Sequence, residues 1–115
     1  KYLDCKIGRE SSKWVDLNFY GHQISAHLIN KKNITATNIV DGKNIPVRHF
    51  GIILDWNNWE ELSLRLKKYK IKFLVSPYIR FKGEIGEQAT LFIKDPSDNI
   101  LEFKSFKNDS SIFSK

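Results

Sequence analysis

The chain has 115 residues, 41% of them hydrophobic and 28% charged, with a formal net charge of +6. That length supports one compact fold with a real core, and the composition is that of an ordinary globular protein. It excludes a disulfide scaffold, because the single cysteine, Cys5, cannot close an internal bridge. It also excludes a membrane-spanning or signal-type apolar run. A cytoplasmic setting follows from the cysteine usage.

The basic balance permits anionic partners. The lysines are scattered, however, as at Lys31-Lys32, Lys67-Lys68, Lys72 and Lys104, with no Arg-rich arm and no zinc-finger spacing. Nucleic acid and membrane are therefore not expected as partners, and a basic nucleic-acid domain stays only as a third reading. Such a domain would show affinity that falls steeply with salt.

In chain order, Lys6 to Arg9 is a short extended candidate. Lys13 to Phe19 alternates, with Val15, Leu17 and Phe19 on one face and Trp14, Asp16 and Asn18 on the other. A turn at Tyr20-Gly21-His22 leads to a second alternating run, Gln23 to Leu28. Residues 31–46 are polar, carry Gly42 and Pro46, and read as a linker. Val47 to Leu54 is almost free of polar residues apart from Arg48 and His49, which predicts a central, buried strand.

A helix follows near 56–69. Asp55 or Asn57 can cap it, Glu60-Glu61 falls at its start, and Trp59, Leu62, Leu66 and Tyr69 recur at helical spacing. Strands are expected over Ile71–Tyr78, Gln88–Lys94 and Asn99–Phe106, with a two-glycine loop at Arg80–Glu87. The residues after Lys107 form a polar tail.

The second part therefore runs strand, helix, strand, strand, strand, and the first part matches its closing half. A shift of 75 residues carries His27 onto Glu102, Ala26 onto Leu101 and Leu28 onto Phe103. Both halves of this short repeat end on the less apolar face of a last strand. The predicted organisation is a partial first unit over 1–30, a linker over 31–46, a second unit over 47–107 and a tail over 108–115.

A βαβββ unit present twice resembles the vicinal oxygen chelate superfamily of glyoxalases, bleomycin-resistance proteins and extradiol dioxygenases. The residues that carry the resemblance are Val47-Arg48-His49-Phe50-Gly51-Ile52-Ile53-Leu54, Arg80-Phe81-Lys82-Gly83, Gly86 to Phe92, Asp95 to Lys104, and Phe19 to His27. The set is most similar to the bacterial group of extradiol-type dioxygenases. The fold class implied is α+β, built of paired βαβββ modules, with the first module lacking its opening strand and most of its helix. The chain contains no Met, which fits an N-terminally trimmed form.

The resemblance implies a divalent metal, Fe(II) first and Mn or Zn as alternatives, held by His49 and Glu102. Gly51, on the His49 face, would leave room beside it. Imidazole and carboxylate suit such ions. A further imidazole in family members comes from the first strand of module one, which the repeat places about two dozen residues before Lys1. His27 is the alternative or fourth ligand; His22 lies on the opposite strand face. Tyr78, Arg80 and Gln88 are the candidate substrate contacts.

The function implied is an Fe(II)-dependent ring-cleaving dioxygenase acting on a small substrate with two oxygen donors. The alternative is a metal-free, drug-sequestering binding protein on the same fold. An exposed edge left by the absent strand predicts a homodimer. Taken alone, a histidine on a strand is more often structural, and a glutamate in a last strand is more often solvated.

Overall fold

The computed structural model describes residues 1–28, 37–40, 42–46 and 48–112. Two compact units divide the chain, Lys1–Lys32 and Asn33–Lys115. The fold is α+β. No helix among the described residues is long and apolar enough to cross a membrane.

The first unit is a three-stranded antiparallel sheet of β1 (Lys6–Glu10), β2 (Trp14–Phe19) and β3 (His22–His27) in that order. Tyr20 and Gly21 join β2 to β3 with φ of 53° and 86°. Two successive left-handed residues make the tight hairpin turn that matches strand twist. The Asn18 side chain accepts the Gly21 N–H at 2.8 Å and fixes the turn. Asp16 is buried, only 5% exposed. Ser25 and Arg9 satisfy its carboxylate, which is why it tolerates burial.

The second unit opens with a hairpin, β4 (Thr37–Val40) and β5 (Lys43–Pro46). The segment 31–46, expected as a plain linker, thus carries paired strands. The unit continues with β6 (Phe50–Ile53), α1 (Trp56–Lys68), β7 (Phe73–Arg80), β8 (Gln88–Lys94) and β9 (Ile100–Phe106). The sheet order is β6-β9-β8-β7, with β6 parallel to β9 and the remaining pairs antiparallel. The expected strand over 47–54 therefore shortens to four residues and lies at an edge, with Phe50 and Ile53 exposed. Its apolar run reads like a central strand, yet among the described residues of this unit it pairs with β9 alone. Val47 falls outside the described residues.

Asp55 caps α1 by accepting the Asn58 N–H at 3.0 Å. Glu60 and Glu61 start after the first turn, which holds no acid. The helix ends on Arg65, Lys67 and Lys68, which suit the negative end of its dipole. Trp59, Leu62 and Leu66 are buried as expected, and the Trp59 indole donates to the Phe103 carbonyl at 2.9 Å. Under the helix lie Ala89, Leu91, Leu101 and Phe103, all buried. Alternation along β8 and β9 then turns Gln88, Thr90, Phe92, Glu102 and Lys104 to the other sheet face. On that face Val75, Phe92 and Ile100 form an apolar cluster, with Ile45 of the hairpin and Tyr78 packed against it. Beyond β9, Asp109–Ser111 forms a short 3-10 turn in the polar tail.

Candidate functional site

Glu102 lies mid-strand in β9, paired with Phe92 on one side and Gly51 on the other. Its carboxylate is largely buried, with the side chain 15% exposed. Oε1 accepts the Thr90 hydroxyl at 3.0 Å and stands 3.4 Å from Lys104 Nζ. Oε2 stands 3.4 Å from His49 Nε2. The separation of 53 positions between His49 and Glu102 in sequence is closed by the parallel pairing of β6 with β9.

His49 sits just before β6, where its ring is held from two sides. Nδ1 lies 2.7 Å from the Pro46 carbonyl oxygen, and the ring meets Phe92 edge to face at 5.2 Å. A carbonyl can only accept, so Nδ1 carries the hydrogen. The other nitrogen, Nε2, then faces Oε2 with a lone pair opposite lone pairs. The positive charge nearest this carboxylate is Lys104, 3.4 Å from Oε1. A charge-assisted N–H···O contact closes to about 2.7–2.9 Å. The observed 3.4 Å is longer than that. The donor types, one imidazole nitrogen and one carboxylate oxygen, also suit a divalent transition ion. The pair offers two such donors, with the Lys104 ammonium on the same carboxylate. Among the described residues no group of three or more His, Cys, Asp or Glu is arranged to hold one.

The other expected site residues fall as follows. Tyr78, Arg80 and Gln88 share the Glu102 face, because Tyr78 pairs with Thr90, Arg80 with Gln88, and Thr90 with Lys104. Lys43 lies 4.4 Å above the Tyr78 ring, and the Arg80 guanidinium lies 5.0 Å over the Phe81 ring. Gln88 donates to the Gly86 carbonyl. His27 belongs to the first unit, exposed on β3 opposite Trp14. Each unit thus sets an aromatic across from the repeat-related position, Trp14 opposite His27 and Phe92 opposite Glu102. Gly51 plays a different part from the one expected: it accommodates the Glu102 backbone rather than space beside an ion.

Sequence reasoning missed Thr90, Lys104 and the Pro46 carbonyl. For the first two a signal was present. Lys104 lies two residues from Glu102 on the same strand, and Thr90, paired with Lys104 on the adjacent strand, lies diagonal to it, which is where same-face neighbours fall. The backbone carbonyl of Pro46 leaves no such trace.

The first unit has an open groove of its own, about 460 Å³, lined by Arg9, Asp16, Asn18, His22 and Gln23 among others. Ser25 donates to Asp16 at 2.5 Å and Arg9 adds contacts of 3.1 and 3.2 Å. Chiefly the Ser25 hydroxyl, and then Arg9, hold the Asp16 carboxyl below the usual range.

With fold and site in place, the class is that of α+β proteins built from βαβββ units. A glyoxalase/bleomycin resistance protein/dioxygenase from Alicyclobacillus acidocaldarius is 32% identical, with a TM-score of 0.80 over 97% of this chain and 80% of that one. The chain belongs to the glyoxalase/bleomycin resistance protein/dioxygenase family. The fosfomycin resistance protein FosX from Listeria monocytogenes shares the fold at 12% identity, with a TM-score of 0.65 over 96% of this chain and 78% of that one. A variant of FosX complexed with Mn(II) and 1S,2S-dihydroxypropylphosphonic acid matches at 10% identity, with a TM-score of 0.67 over 99% and 82%. No family model matches the sequence, and neither does any curated protein.

Proposed function

We propose that this chain is a metal-dependent member of its family, acting on a small molecule that presents two oxygen donors. The observation that carries the reading is the His49 Nε2 to Glu102 Oε2 separation of 3.4 Å, with the hydrogen of the ring tied to Pro46 on the far side. His49 and Glu102 hold the ion. Thr90 fixes the carboxylate by its hydrogen bond to Oε1, and Phe92 fixes the imidazole plane. The bound ion supplies Lewis acidity and open positions for the substrate oxygens. Tyr78, Arg80 and Gln88 supply contacts beyond the ion. The Mn(II) complex of FosX supports a divalent ion in this fold. Fe(II)-dependent cleavage of a catechol-type ring is the activity to assay first, and a cytoplasmic homodimer completes the reading.

Metal content after reconstitution with Fe(II) or Mn(II) and dialysis tests the pair. Wild type retains the ion, and His49→Ala and Glu102→Gln each lower occupancy sharply, because either leaves a single ligand. Equal occupancy in all three proteins rules the pair out. The second reading, a metal-free binding protein, is favoured by one contact: Lys104 already neutralises Glu102. It predicts no retained ion in wild type.

A further inference from the structure

Among the described residues the β4–β5 hairpin pairs with no other strand. A two-stranded hairpin on its own is marginal in water, so its order depends on what it packs against. Three contacts supply that support, and all three lie at the sheet face that carries Glu102. Ile45 packs against the cluster of Val75, Phe92 and Ile100. Lys43 Nζ stands 4.4 Å from the centre of the Tyr78 ring, a cation–π contact. The Pro46 carbonyl oxygen lies 2.7 Å from His49 Nδ1. β4 rides outside these contacts, with Thr37, Asn38 and Ile39 exposed. A segment held by so few buried contacts opens separately from the rest of a fold. Phe92 ties the hairpin to the site a second time. It belongs to the cluster under Ile45, it meets the His49 ring edge to face, and it pairs with Glu102 across the strands.

We propose that the β4–β5 hairpin is a lid over the Glu102 face, latched by Ile45, and that its closure sets the tautomer of His49. Closed, it covers the apolar cluster and the Tyr78 ring, and the Pro46 carbonyl keeps the hydrogen of the imidazole on Nδ1. Nε2 then offers its lone pair towards Glu102. Open, it uncovers the cluster for the apolar group of a small molecule and releases the ring to exchange tautomers. Entry to the face and the readiness of His49 are thus one event, as expected of a segment that closes over a site. The inference concerns access and ring orientation, and it is independent of what the His49–Glu102 pair binds.

Hydrogen exchange followed by nuclear magnetic resonance tests the lid in wild type, Ile45→Val and Ile45→Asp. In wild type the paired amides of β4 and β5 exchange roughly tenfold or more faster than those of β8 and β9, because they open without the rest of the fold. Ile45→Val keeps the latch and this difference. Ile45→Asp cannot leave a carboxylate on the apolar cluster, so the hairpin lifts and its amides lose their remaining protection, while β8 and β9 keep theirs. Nitrogen chemical shifts of the His49 ring, read at about pH 8.5 where an ordinary imidazole is neutral, report the second half of the inference. They show the hydrogen on Nδ1 in wild type and Ile45→Val, and a mixture of tautomers in Ile45→Asp. The inference is overturned if the wild-type hairpin exchanges as slowly as β8 and β9, or if Ile45→Asp keeps its hairpin protected or its His49 in one tautomer. Lost protection of β8 and β9 in Ile45→Asp overturns it as well, because Ile45 is then part of the core and not a latch.

Discussion

Gly51 of β6 pairs with Glu102 of β9. A Cβ built there would stand 1.6 Å from the Glu102 carbonyl oxygen. No side-chain rotation relieves a clash with backbone, so Gly51→Ala must push the parallel strands apart. The expected cost is on the order of 3 kcal/mol or more, read as a lowered urea midpoint. A midpoint equal to that of wild type would show that the strands are not so close. Asp16 is a second single residue with a measurable signature, in this case a dependence on pH. Its folded carboxyl is held below the ordinary value, first by Ser25 and then by Arg9, whereas an unfolded aspartate titrates near about 3.9. The stability it contributes is complete above that value. It declines as pH falls below it and through the lowered folded value. Acid unfolding followed by circular dichroism should show a shallower loss in Asp16→Asn than in wild type. Asp55, lowered chiefly by the Asn58 backbone N–H, contributes to the same region and remains in that variant.

Among the elements, α1 ends in a pattern that a glycine usually completes. The Ile71 N–H bonds to the Leu66 carbonyl and the Lys70 N–H to the Lys67 carbonyl, the pair of contacts that closes a helix through a left-handed residue. That residue is Lys70, with φ of 54°. Lys70→Gly removes the Cβ penalty and should stabilise the protein by about 0.5–1 kcal/mol. Thermal unfolding reads this, and a lowered midpoint would count against it. Asp98 occupies a similar conformation, φ 67°, in the loop before β9. That conformation is legible in the sequence, because the run Asp95 to Asn99 demands a left-handed residue and aspartate tolerates one. The β4–β5 hairpin escapes the sequence reading, although Asp41-Gly42 between alternating runs is a strong hairpin signal. Abundant Asn and Lys around it mask the alternation of Ile39 and Ile45. The edge position of β6 is also illegible, since apolar content reports burial and not which neighbour supplies it.

For the molecule as a whole, the βαβββ order is legible from periodicity: helix spacing at Trp59, Leu62 and Leu66, and alternation in the strands on either side. So is the meeting of His49 with Glu102, through the repeat and the family resemblance it supports. Their surroundings are not. Which oxygen of Glu102 meets Thr90 or Lys104, and which nitrogen of His49 meets Pro46, depends on strand register and on one backbone carbonyl. The proposed function depends above all on His49 and Glu102 ligating one divalent ion. Pulsed electron paramagnetic resonance of the Mn(II)-loaded protein reads that ligation through nitrogen couplings from bound imidazole. Wild type should show a coupling that loses its His49 component in His49→Ala, and Glu102→Gln should retain the ion less well. A nitrogen signal and ion retention unchanged in both variants would refute the assignment.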